Sequence, residues 1–185
     1  MLEQARETAQ GLLNSKGRST GHVALGIAVC VGAVAASALV AARNAPSKGN
    51  PKVKQAYDRL EQPDLQPPAP VFGLVWPPLF TVLALSGIRV WNARSSDQRT
   101  RALGLWAAVQ TLQALWMAWG PRHRLAQMLT AFTTLGATAA YVHQARKVDG
   151  KAAGMVAPYA GWISFANLLT EEVWRKNRPH KATLH

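Results

Sequence analysis

Every Lys, Arg, Asp and Glu of this chain lies outside five stretches, residues 19–42, 65–88, 102–121, 125–145 and 152–170. A helix rises about 1.5 Å per residue, so about 20 apolar residues cross a hydrocarbon core of roughly 30 Å. Five such windows in 185 residues leave little chain for anything else. The pattern predicts an all-α protein, a five-transmembrane-helix bundle integral to a membrane. A soluble helical bundle is the alternative, but its helices keep charge on their outer face, and these windows carry none.

The remaining sequence is strongly basic, with 21 Lys and Arg against 9 Asp and Glu and a net charge of +12. The basic residues sit in short connectors and tails, which points to membrane lipid headgroups as partners rather than nucleic acid. The two sides of a five-span topology carry nearly equal numbers of them, so orientation stays open. Cys30 is the single cysteine and lies in the first apolar window, where it reads as a small packing residue. No metal-ligand spacing, phosphate loop or nucleophile motif is present. Glu3 and Glu7, in a polar stretch before the first window, argue against a signal or transit peptide. Met1 to Leu13 reads either as an amphipathic helix on the membrane surface or as a frayed tail.

Residues 1–21 form a polar tail, 22–177 the five-helix membrane domain and 178–185 a basic C-terminal tail. The first helix, 22–42, carries Ala24, Ala28, Gly32 and Ala36 every four positions. That stripe lets backbones approach closely, either as a homodimer seam or as packing within one chain. Residues 43–70 hold six prolines and read as a lid loop, with a turn or two of helix over 52–60. Further helices are predicted at 71–91, 100–119, 125–144 and 151–176, with Pro77 and Pro78 one turn into the second and a Gly-Pro-Arg-His turn between the third and fourth.

Trp91, Trp106 and Trp174 fall near predicted span ends and read as interfacial anchors. Trp76, Trp116 and Trp162 lie deeper, where indole faces serve either a flat ligand or bundle packing. Gln110 and Gln113, and Ser164 and Asn167, are polar pairs three apart within spans; they read as interhelical hydrogen bonding or as the wall of a cavity. His143 and the pair Glu171 and Glu172 are expected at the interface.

Two segments carry a more specific signal. Pro67-Pro-Ala-Pro-Val-Phe-Gly-Leu-Val-Trp76 and Pro158-Tyr-Ala-Gly-Trp-Ile-Ser-Phe-Ala166 resemble the signature stretches of the TspO/MBR family. Leu169, Trp174 and Asn177 continue in register after the second. Tyr57, Leu60, Pro63, Pro67 and Pro68 keep the spacing of the family's lid loop, and Gln113 and Trp116 fall where the family's third helix has Asn and Trp. The resemblance covers roughly residues 21–177. It departs at Ala56, Leu65 and Pro70, which replace tryptophans, at Leu74, which replaces a proline, and at Val109, which replaces a glutamine.

The resemblance implies a five-helix bundle in a bacterial membrane or the mitochondrial outer membrane. It also implies a cavity that takes a tetrapyrrole, haem or protoporphyrin IX, or an apolar ligand such as a sterol, in a transport or sensory-regulatory role. Trp76, Trp162, Phe165, Ala166, Gln113, Phe72 and the lid residue Tyr57 are the ligand-binding residues it implies; no obligatory cofactor, catalytic residue or metal is expected. A structural or regulatory subunit with a degenerate pocket is one alternative. A tryptophan-dependent, light-driven porphyrin-degrading enzyme is another, against which the missing lid tryptophans weigh. The family's C-terminal sterol pattern fails at Trp174, while Leu135, Tyr141 and Arg146 fit its loose form elsewhere.

Overall fold

The computed structural model describes residues 1–177; the basic tail expected at 178–185 lies outside them. Among the described residues all regular structure is helical. The elements are α1 (Leu2–Leu13), α2 (Thr20–Asn44), α3 (Pro51–Asp58), α4 (Ala69–Asn92), α5 (Asp97–Trp119), a 3-10 turn (Gly120–His123), α6 (Arg124–Arg146), α7 (Gly150–Met155) and α8 (Ala157–Lys176). The helices α2, α4, α5, α6 and α8, each 20 to 25 residues long, overlie the five charge-free windows. Two of them, α2 and α4, are long and apolar enough to cross a membrane by length and composition.

Local chemistry sets the boundaries. Ser19 Oγ accepts from the amide of His22 and Ser96 Oγ from that of Arg99, so each hydroxyl satisfies one orphan donor at a helix start. The helix expected over 151–176 is divided at Val156 into α7 and α8. Pro158 explains the break. It has no N–H for the carbonyl of Gly154, but it suits the first turn of a new helix. Pro77 and Pro78, by contrast, lie well inside α4, which begins at Ala69 and runs through them. The Thr81 hydroxyl donates to the Pro77 carbonyl at 3.0 Å in this stretch.

The long helices alternate in direction. α5 and α6 form a tight antiparallel pair, α2 packs on α4 and α5, and α8 packs on α6. α7 bridges α4 and α6, while α8 approaches α4 at few points. One end of the bundle gathers α1, the start of α2, the end of α4 and the start of α7. The other end gathers α3, the α5–α6 turn and the end of α8.

Two glycines set the closest helix packing. A Cβ on Gly87 would lie 2.6 Å from Cε2 of Trp106, and one on Gly26 would lie 2.3 Å from Cδ1 of Trp91. Trp106 is buried, and its indole N–H donates to the Leu83 carbonyl at 2.9 Å. It is therefore a core residue between α4 and α5, not the interfacial anchor that its sequence position suggests. Trp91 likewise fills the α2–α4 contact, donating to the His22 carbonyl at 3.1 Å. The small-residue stripe is corrected too. Ala24, Ala28, Gly32 and Ala36 are all exposed, whereas Gly26, Cys30, Val34 and Ser37 face the bundle. A helix apolar all round has no polar face to mark its outside, so two small-residue stripes compete and packing within one chain selects the other one.

The end of α4 is held by an unusual concentration of side chains. Asn14 donates to the carbonyl of Arg89, Arg99 to those of Val90 and Trp91, and Arg18 to that of Asn92. Cations at a helix C-terminus also complement its dipole. Arg89 itself is 5% exposed; it pairs with Asp149 at 2.8 Å and donates to the carbonyls of Gly11 and Leu12. Losing one partner of such a buried pair costs about 3–5 kcal/mol, because the other is left uncompensated.

Gly87→Leu drives side-chain atoms into Trp106, and overpacking of this kind costs about 1–3 kcal/mol. Gly32→Leu meets nothing, since no atom lies within 4 Å of its Cβ position. Thermal unfolding in one detergent, at a protein concentration where the chain is monomeric, should show a clear fall in Tm for the first variant and none for the second.

Candidate functional site

The three deep tryptophans converge. Trp76 on α4 lies 6.2 Å, centroid to centroid, from Trp116 on α5 and 6.4 Å from Trp162 on α8, the latter edge-on at 88°. Phe72, one turn before Trp76, meets Trp162 edge-on at 5.7 Å, and Phe165 meets the same indole at 5.7 Å. Phe80, one turn after Trp76, stacks on it at 5.4 Å and 26°. Helical spacing explains this local geometry: residues three or four apart share a face. The tertiary fold then aims the faces of α4, α5 and α8 at one another. Ala166, buried beside Trp116 and Ala131, keeps the wall low under the rings.

The polar atoms at this end of the bundle are asymmetrically satisfied. Tyr159 donates to Gln113 Oε1 at 2.9 Å, and Gln113 is 1% exposed. Among the described residues its Nε2 has no hydrogen-bond partner, and neither have the indole N–H groups of Trp116 and Trp162, Oδ1 of Asn167, or either polar atom of Gln110. A buried polar group without a partner costs about 1–3 kcal/mol, so the cluster is an expensive way merely to fill space. Its unpaired side is rich in donors, because an indole nitrogen can only donate. The lining residues offer ring faces, indole N–H groups and amides, with no imidazole or thiol among them. They suit a flat ring system held by its faces and by acceptor groups on its edge. They do not suit axial ligation of a haem iron.

Five of the seven sequence-derived residues fall in this cluster, Phe72, Trp76, Trp162 and Phe165 by ring contacts and Ala166 beside Trp116, while Gln113 lies one turn before Trp116 on α5, bonded to Tyr159. Tyr57 is not among the ring contacts. It sits on α3, and its hydroxyl accepts from Gln127 Nε2 at 3.4 Å. Burial raises the Tyr57 phenol above its ordinary pKa, against the smaller opposing effect of Gln127, so it stays neutral. Phe80 completes the cluster without having been singled out, its signal being the spacing of four after Trp76, and Trp116 joins it as one of the three deep indoles. Ser164 turns out to be exposed, its hydroxyl donating to Ala160 on its own helix. Tyr141, which fits the loose sterol pattern, is fully buried. Ser86 donates its single proton to the Ala152 carbonyl at 2.8 Å, so Tyr141 donates to Ser86 at 2.6 Å. That tyrosine joins helices and offers nothing to a sterol.

The lid segment is stitched to the end of α8. The Asn177 side chain accepts from the amide of Glu61 and donates to its carbonyl, both at 2.9 Å, as a neighbouring strand would. Lys176 donates to the Gln62 carbonyl at 3.1 Å and to Asp64 at 2.8 Å. Arg124 fixes the Asn177 carbonyl from α6 at 2.8 Å. No local pattern announces this latch, since its partners are 112 to 116 residues apart.

Helical architecture throughout the described residues, with two helices apolar enough to span, defines the class as an all-helical membrane protein. Residues 26–175 match the sequence profile of the TspO/MBR family, and the chain belongs to that family, whose members are integral membrane proteins. It is 28% identical over 125 residues to the translocator protein of Homo sapiens, covering 65% of this chain and 74% of that one. Against the CrtK protein of Rhodobacter capsulatus it is 29% identical over 128 residues, with 68% and 80% covered. The tryptophan-rich sensory protein of Cereibacter sphaeroides is 28% identical over 128 residues, with 68% and 79% covered.

Lys176 holds the Asp64 carboxyl below the usual aspartate range, first through the hydrogen bond and then through its charge. A depressed carboxyl anchors above its ordinary pKa and loses that anchoring as pH falls through the depressed value. The protection factor for amide exchange over residues 60–66, the intrinsic rate at each pH divided by the observed one, should therefore be highest at neutral pH and fall in acid. Lys176→Met should move that fall to higher pH, and Asn177→Ala should lower protection at every pH.

Proposed function

We propose that this protein is a five-span membrane protein that binds a flat tetrapyrrole, haem or protoporphyrin IX, or a similar apolar ligand such as a sterol, between α4, α5 and α8. The transport or sensory-regulatory role of such a site follows from reversible binding under a lid. The observation that carries the reading is the cluster of Trp76, Trp116 and Trp162 with two unpaired indole N–H groups. The lid over residues 43–70 controls access, and its latch at Asn177 lies outside the ring cluster. Five spans require α5, α6 and α8 to cross alongside α2 and α4; their length of 20 to 23 residues supports this. The exposed stripe of Ala24, Ala28, Gly32 and Ala36 belongs to the same proposal as a homodimer seam, and Gly32→Leu should then lower the oligomeric mass.

One observation favours a second reading, a structural or regulatory subunit. The rings contact one another directly, so a ligand has to part Trp76 from Trp162 before it can stack on either. Porphyrin degradation needs the same binding first, and illumination of a bound complex, followed by its absorbance, tests for it.

A good aromatic pair adds about 1 kcal/mol beyond burial, and losing 1.4 kcal/mol weakens binding about tenfold. Trp162→Ala should weaken protoporphyrin IX binding by about tenfold or more in a fluorescence-quenching titration, because it removes stacking area and a donor together. Trp91→Phe, at the far end of α4, should bind as the wild type does. Equal affinities for wild type and Trp162→Ala would sink the pocket assignment and leave the structural reading.

A further inference from the structure

The N-terminal helix lies outside residues 26–175, so the family match does not account for it. It is nevertheless held firmly. Its last carbonyls, those of Gly11, Leu12 and Leu13, accept from Arg89 Nη1 and Asn92 Nδ2 at 2.7 to 2.9 Å, and Asp149 fixes the other end of the Arg89 guanidinium. Three and five residues further on, Lys16 and Arg18 lead into α2. A frayed tail would have no reason to occupy a buried arginine.

The helix is amphipathic. At 100° per residue, Leu12, Ala5, Ala9, Leu2 and Leu13 fall within an arc of about 100°, while Glu3, Arg6, Glu7 and Gln10 fall on the adjoining arc. Leu13, at the C-terminal end of the apolar arc, packs against the core cluster of the bundle. The other members of the arc stand clear of the bundle: Leu2 is 90% exposed and Leu12 46%, Ala5 and Ala9 are exposed as well, and no residue of α1 is buried. The C-terminal end of the helix is held at the level where α4, one of the two helices apolar enough to span, comes to an end. What lies beside the bundle at that level, if α4 spans, is the headgroup region of the bilayer. Basic residues cluster at the same end: Lys16, Arg18, Arg94, Arg101 and Lys151 are in the connectors and helix starts around α1. Their charge suits acidic headgroups.

We propose that α1 is an interfacial helix that rests its apolar arc on the headgroup–acyl boundary of an acidic lipid surface, with the Arg89–Asp149 pair setting its depth and direction. Helices of this kind bury one face about 5–10 Å into that boundary and leave the charged face in water. The proposal rests on the spanning reading of α2 and α4, and its test separates the two.

The experiment uses full-length protein with Cys30→Ala, reconstituted in vesicles of phosphatidylcholine and phosphatidylglycerol. Single cysteines replace Leu2, Ala9, Glu3, Glu7 and Val31 in turn, and each carries a nitroxide label. Collision with oxygen, which favours lipid, is compared with collision with a water-soluble nickel chelate. Labels at 2 and 9 should show an oxygen-to-nickel ratio at least about threefold above those at 3 and 7, as a half-immersed helix requires. Val31, exposed on α2, should report the lipid interior. A lipid reading at Val31 with equal, aqueous readings at 2, 3, 7 and 9 overturns the interfacial helix and leaves the spanning reading intact. An aqueous reading at Val31 overturns the spanning reading itself. Shielding of positions 2 and 9 from both reagents marks protein cover, and so also overturns the lipid assignment. In Arg89→Gln, the label at position 9 should become more mobile while Val31 stays in lipid; unchanged mobility overturns the role given to Arg89.

Discussion

The ion pair between Arg89 and Asp149 is the contact on which one whole end of this protein depends. Each partner is nearly buried, so neither charge is satisfied by water. The guanidinium is shared among the carboxylate of Asp149 and the last carbonyls of α1. Asp149 in turn accepts from the amide of Ala152 and so caps α7. Three elements, α1, α4 and α7, are thereby tied together by charge and hydrogen bonding. The penalty for breaking one partner away keeps them together.

The opposite end uses a different principle. There the helices are joined by aromatic rings across the gap between α4 and α8, and the lid is joined to α8 by side chain-to-backbone hydrogen bonds in water. Exposed contacts of this sort are individually weak. The division of labour is physical: a buried charged node holds one end together, and a ring cluster beside a surface latch holds the other.

The sequence by itself determined the positions of the long helices, because a charge inside any of the five windows would have to be buried at great cost. It determined the ring-bearing turns as well, since Phe72, Trp76 and Phe80 share a helix face by spacing alone, as do Trp162 and Phe165. Only the tertiary structure decided which face of α2 turns inward, because an all-apolar helix offers no polar side to point outward. It also decided that Trp106 is core packing against Gly87, that Arg89 is a buried node instead of a connector charge, and that Asn177 latches the lid. Each of these depends on a partner distant along the chain, on a different element, and periodicity within one segment holds no information about what that segment will meet.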